Sequence, residues 1–333
     1  MLKDYCRAPI SDAEKALFQF LDKVNRQPHQ VNASDVEQAR SAGWSDEALY
    51  DAITVCAQFN YYNRWIDASG VQDMPAFGYQ MSGHRLATEG YAPPAIETGH
   101  AKIETGPVPI QPQGEARELR FSSFDFPASN SEFGEQEPMF LTEVEQREGG
   151  GQYADLIRQM HGAGAPVSQI FHLFAFKPAM TDHLSYFTEE LMRGPSPLSP
   201  GLRELIAAFT SYQNCCHYCA NSHAAAAALL LQDRELVQSV LQNYQASGLS
   251  PAEKALIGFI EKVTHRSWEI RRHEVDEVRE AGWSDEALYD AITICALFNF
   301  YNRWVHAAGV HVMPLEWHEV SGKRLAKFGY VLR

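Results

Sequence analysis

Apolar residues recur at helical spacing through most of the chain. Ala252, Ala255, Leu256, Phe259, Ile260 and Val263 fall on one face of a helix. In front of them Ser250, Pro251 and Glu253 form a capping box with proline at the first helical position. Gly282 is placed to stop the next short helix, and Ser284 with Asp285 and Glu286 opens a long one running to about Gly309. Upstream, Tyr153, Leu156, Ile157 and Met160 share a face, helical segments follow around 167–176 and 183–192, and another helix begins near Gly201. Strand-like alternation is missing from this pattern, which predicts an all-α fold.

The same pattern occurs twice. Ser-Asp-Ala-Glu-Lys-Ala-Leu from Ser11 returns as Ser-Pro-Ala-Glu-Lys-Ala-Leu from Ser250, and Ala42 to Thr54 matches Ala281 to Thr293 letter for letter. Cys56, Asn60, Tyr62, Asn63, Arg64 and Trp65 return as Cys295, Asn299, Tyr301, Asn302, Arg303 and Trp304. Each copy reads as helix, helix, long helix and short tail helix, so the chain contains a duplication. The section from about 140 to 250 has no N-terminal counterpart. The layout predicted is a partial repeat over 1–91, a Pro/Gly-rich linker or wrapping arm over 92–138, and a complete domain over 139–333.

Composition narrows the function. Hydrophobic residues make up 45% of the 333, enough for a core, and the net charge of −14 disfavours a phosphate backbone as partner. The most apolar run, Ala224 to Leu231, is too short to cross a bilayer, and the N-terminus lacks the apolar stretch of a signal peptide. The expectation is a cytoplasmic protein without nucleic-acid or membrane partners. Six cysteines are too sparse for a disulfide scaffold, yet three of them crowd into Cys215, Cys216 and Cys219.

That cluster lies in GLRELIAAFTSYQNCCHYCANSHAAAAALLL, residues 201–231. Asn214 is a natural breaker, and the alanine-rich run after Cys219 has high helix propensity. Cys216 is therefore expected at or near a helix N-terminus, with Cys219 one turn in and His223 a turn beyond. A helix N-terminus and a nearby imidazole both favour thiolate, and two cysteines spaced by two residues can close a disulfide. His223, at i, i+4 from Cys219, can take a thiol proton. Glu204 belongs to the preceding helix and would reach this region if the two helices form a hairpin.

Simpler roles fit other residues. Cys56 and Cys295 lie among Ile, Ala and Phe and read as core. His172, His183 and His306 read as structural or solvent-facing. Asn299, Asn302 and Arg303 share one helix face, which implies a buried polar network or a subunit contact. Zinc held by Cys215, Cys216, Cys219 and His223 is disfavoured because adjacent cysteines rarely point the same way.

Glu204, eleven intervening residues, Cys216-His-Tyr-Cys219, three more and then His223 resemble the signature of the alkyl hydroperoxidase D (AhpD)-like, carboxymuconolactone decarboxylase superfamily. Residues 140–330 look like a whole domain of its peroxidase-related branch, and Phe298 to Arg303 is also similar. The resemblance implies an AhpD-like helical bundle, here with an N-terminal half-domain repeat. It further implies a thiol-dependent peroxidase in which Cys219 attacks a hydroperoxide, Cys216 resolves the sulfenic acid, and His223 and Glu204 relay protons. A dithiol reductant would recycle the disulfide, and the protein would form a homo-oligomer. No cofactor and no metal is expected. Tyr218 stands where some relatives carry a histidine, His217 sits one position earlier, and Cys215 is an additional thiol. The alternatives are a non-catalytic redox sensor or metal binder using the same residues, and a decarboxylase-type enzyme on the same fold.

Overall fold

The computed structural model describes residues 4–91 and 137–331, and all regular structure among them is helical. The N-terminal copy forms α1 (Asp12–Arg26), α2 (Ala33–Ser41), α3 (Asp46–Ala68) and α4 (Ala76–Glu89). The section without a repeat forms α5 (Thr142–Gln146), α6 (Gly151–Gly162), α7 (Ile170–Phe176), α8 (Pro178–Arg193), α9 (Pro200–Gln213), α10 (His217–Leu231) and α11 (Arg234–Asn243). The C-terminal copy supplies α12 (Pro251–Arg266), α13 (Arg272–Glu280), α14 (Asp285–Ala308) and α15 (Leu315–Phe328). The linker expected over 92–138 lies outside the described residues except for Glu137 and Pro138. No described helix is long and apolar enough to cross a membrane.

The described residues divide into two compact units, 4–70 with 137–331 in one and 71–91 in the other. The smaller unit holds α4, none of whose residues is buried. There Tyr79 Oη donates to Asp73 Oδ1 (2.8 Å), and Arg85 donates to the carbonyl of Gly90 (3.3 Å), which closes the helix at φ +76°.

In the larger unit both copies start their first helix alike. Ser11 with Glu14 and Ser250 with Glu253 close reciprocal capping boxes. The indole N–H of Trp44 donates to Ala13 O and that of Trp283 to Ala252 O, both at 2.8 Å. The long helices α3 and α14 then pack on each other, and their contacts are reciprocal. Trp65 Nε1 reaches Thr293 Oγ1 and Trp304 Nε1 reaches Thr54 Oγ1, each at 3.1 Å. Arg64 Nε donates to Thr264 O (3.1 Å), and Arg303 Nε to the equivalent Asn25 O (3.2 Å). Residue i meeting j while j meets i is the signature of a two-fold interface, here formed within one chain.

Helix α14 is the centre of this unit, with every residue from Ala291 to Val305 buried. A helix enclosed on all sides needs its polar groups paired. Asn302 Nδ2 accordingly donates to Ser211 Oγ (3.0 Å), and Asn214 Nδ2 bridges Asn299 Oδ1 and Asn302 Oδ1 at 3.1 and 2.9 Å. The network expected of Asn299, Asn302 and Arg303 is therefore present, and Arg303 carries it across to the N-terminal copy. On the other side of the motif, α15 lies close against the alanine run of α10. A Cβ on Gly322 would come within 2.5 Å of Ala225 Cβ, so small residues on both helices permit the approach.

Candidate active site

The chemistry sits where α9 turns into α10. Asn214 caps α9, and Cys215 takes a left-handed conformation (φ +56°), which is uncommon outside glycine and asparagine. The turn holds through Cys215 N to Tyr212 O (2.9 Å) and Cys216 N to Ser211 O (2.8 Å). Cys216 thereby becomes the N-cap of α10, with Cys219 in the first turn and His223 in the second. This is the arrangement expected from the sequence.

The α9–α10 hairpin also brings Glu204 to His223. The carboxylate Oε2 lies 2.6 Å from His223 Nδ1 and is fully buried. Its other oxygen accepts from the Arg193 guanidinium and from Tyr330 Oη (2.8 Å). Burial opposes ionisation of Glu204, but His223 and Arg193 outweigh it and hold the carboxyl below its usual range. The Tyr330 ring lies parallel to the imidazole (10° between planes), and burial together with Glu204 keeps its phenol protonated. With Nδ1 tied to the carboxylate, His223 presents Nε2 as its free ring nitrogen.

Both thiols of the pair are buried, Cys216 at 0% and Cys219 at 4% exposure. Burial works against a Cys216 thiolate, yet Cys219 and the nearby His306 outweigh it and bring its pKa well below the ordinary thiol range. Cys219 is pushed the opposite way, first by the bond it gives Cys216 and then by burial. The two shifts are opposed, which makes Cys216 the more readily ionised thiol of the pair.

A cavity of about 80 Å³ reaches one member of the pair. Cys219 and His223 are on its wall, with Tyr218, Phe174, Phe298 and Tyr301 among the rings that enclose it. Tyr218 Oη is hydrogen-bonded to Ser168 Oγ, so this residue shapes the cavity. His217 is solvent-exposed and stands away from the cavity wall. Cys215 is exposed, whereas Cys295 is buried and Cys56 half-buried. Burial raises both of the latter thiols, Cys56 to about 11, as befits core residues. Among the described residues no three His, Cys, Asp or Glu side chains are grouped to hold a metal ion.

The four residues singled out from the sequence therefore come together in two contacting pairs, Cys216 with Cys219 and Glu204 with His223. His306, read as structural or solvent-facing, is half-buried and near enough to Cys216 to lower the pKa of its thiol. Arg193 and Tyr330 also belong to the site and carry no sequence signal of it. One signal existed for His306, whose counterpart in the copy without the CxxC pair is Asp67. Replacing His306 with Gln is expected to move the thiolate absorbance of Cys216 to higher pH, since the lost partner favours the charged form. An unchanged ultraviolet pH titration would remove His306 from the site.

Residues 178–262, which include all four motif residues, match the carboxymuconolactone decarboxylase family. The chain is similar to the solved structure of an uncharacterized peroxidase-related protein from Silicibacter sp. TM1040, at 24% identity and a TM-score of 0.46, over 56% of this chain and 98% of that one. It is also similar to an uncharacterized peroxidase-related protein from Ralstonia eutropha JMP134 described as an alkylhydroperoxidase AhpD core, at 27% identity and a TM-score of 0.45, over 52% and 94%. No curated protein matches the chain. The motif thus lies on an all-helical hairpin inside the segment that is similar to the carboxymuconolactone decarboxylase family.

Proposed function

We propose that this protein is a thiol-dependent peroxidase that reduces a hydroperoxide through Cys216 and Cys219. The observation that carries the reading is that Cys219 and His223 share one cavity wall while Glu204 fixes His223 from behind. Cys219 passes its proton to the Cys216 thiolate, and the resulting Cys219 thiolate attacks the outer peroxide oxygen. The O–O bond breaks, Cys219 becomes a sulfenic acid, and protonated His223 gives the leaving alkoxide its proton. Cys216 then loses its proton beside His306 and attacks the sulfenic sulfur, forming the disulfide and releasing water. Glu204, Arg193 and Tyr330 orient the imidazole and touch no reacting atom.

The cavity volume bears on the substrate. About 80 Å³ is roughly half of the ~150 Å³ that accommodates benzene in an engineered protein cavity, so a hydroperoxide with a small organic group fits best. An external dithiol, supplied in a reducing cytoplasm, would regenerate the pair by exchange. The N-terminal copy occupies one two-fold interface within the chain, and assembly of further copies would use other faces.

The reading is tested by counting thiols in the reduced protein before and after one equivalent of a small alkyl hydroperoxide. The count should fall from six to four. Survival of all six thiols with the peroxide unconsumed would end the peroxidase reading. Loss of two thiols without repeated turnover in any dithiol would favour the redox-sensor alternative.

A further inference from the structure

An open cleft of about 700 Å³ lies where the two copies meet in the larger unit, and the thiol chemistry makes no use of it. It is lined by Arg64 and Arg303, the same residue in each copy. Arg303 is only 4% exposed, and Arg64 is partly buried. Neither has an ion-pair partner among the described residues.

Their bonds go to neutral oxygens. Arg64 donates to Thr264 O (3.1 Å) and to Asn60 O and Oδ1 (3.2 and 2.9 Å), and its Nη2 donates to nothing among the described residues. Arg303 donates to Asn25 O (3.2 Å) and to Asn299 O and Oδ1 (both 3.0 Å). Asp67, the carboxylate in the cleft, accepts from Ser267 Oγ at 2.7 Å.

Two guanidiniums in one cleft with Asp67 as the carboxylate beside them are unfavourable, because each loses hydration and repels the other. Arg303 shows both effects. Burial, and then the charge of Arg64, bring its pKa down to about 9. An anion between the two would relieve both terms, and planar guanidinium forks match the oxygens of phosphate and carboxylate groups. The volume suits a small organic molecule better than a single ion. At the rim, the Trp268 indole is 63% exposed and offers a face for stacking, and the Cys215 thiol opens into the same space.

We propose that this cleft binds a small molecule carrying two or more negative charges, as phosphate or carboxylate groups, with its anionic oxygens between Arg64 and Arg303. The site exists because of the duplication, since each copy contributes one arginine and part of the other's backbone cradle. It is separate from the peroxide cavity and stands whether or not the thiol pair turns over.

The test uses the full chain with pyrophosphate and succinate as probes, against sodium chloride at equal ionic strength. One of the two should raise Tm by about 3 °C or more beyond the salt control. The same probe should slow iodoacetamide labelling of Cys215 several-fold and leave Cys6 unaffected, both thiols being exposed. Which probe protects tells a phosphate source from a carboxylate one. In Arg64→Gln both effects should vanish. If that variant does not fold, protection of Cys215 in the unaltered protein decides. Equal labelling of Cys215 with and without either probe overturns the site, as does an undiminished Tm shift in Arg64→Gln.

Discussion

Cys219→Ser is expected to abolish peroxide consumption, lowering turnover by at least about a thousandfold, with the five remaining thiols intact after hydroperoxide treatment. Cys216→Ser should behave differently. Its Cys219 still reaches the cavity, so one equivalent of peroxide is consumed and a sulfenic acid accumulates, which dimedone traps at residue 219 and at no other. The difference follows from position, because Cys219 lies on the cavity wall whereas Cys216 is sealed behind it at the helix cap. Acidity alone would suggest the reverse, since Cys216 is the more acidic thiol of the pair. Access decides the first step, and the thiolate tendency of Cys216 serves the second. Trapping at residue 216 in Cys219→Ser would reverse the two roles.

Glu204→Gln is the substitution with the largest expected effect on stability. The side chain keeps its shape and loses its charge, leaving Arg193 beside a neutral amide in a buried site. Breaking a buried pair in this way costs about 3–5 kcal/mol, to be read from urea unfolding at pH 7. The pH dependence has a definite sign. The folded state holds the Glu204 pKa below the ordinary carboxylate range, so its contribution is complete above that range and is lost as pH falls through the folded value. The Gln variant should therefore lose less stability than the unaltered protein on acidification. Equal stability of the two at pH 7 would show that the Arg193–Glu204–His223 cluster does not hold this core together.

Much of the fold was legible because its signals are local. Ser250 with Glu253, Gly282 and Ser284 mark helix ends through bonds within a few residues, and α12, α13 and α14 begin and end close to where those residues indicate. Glu204 and His223 could be paired because a single turn joins their helices. The rest of the site depends on distant chain segments. Arg193 reaches Glu204 from α8, Tyr330 from beyond α15, and His306 meets Cys216 from the end of α14. No spacing rule connects these positions. The sequence also revealed two copies without showing that they face each other, since reciprocal bonds such as Trp65 to Thr293 and Trp304 to Thr54 exist only once the chain is folded.

The two-fold contact within a single chain has a genetic consequence. In a dimer of identical subunits, every substitution near the axis is made twice, so an asymmetric pair of side chains cannot arise there. Here each position across the axis is encoded separately and can change alone. Asp67 and His306 occupy equivalent places, as do His29 and Trp268, and Asn25 and Thr264. One half could thus acquire a histidine against its thiol while the other kept an acid in the anion cleft, a division of labour closed to a symmetric ancestor.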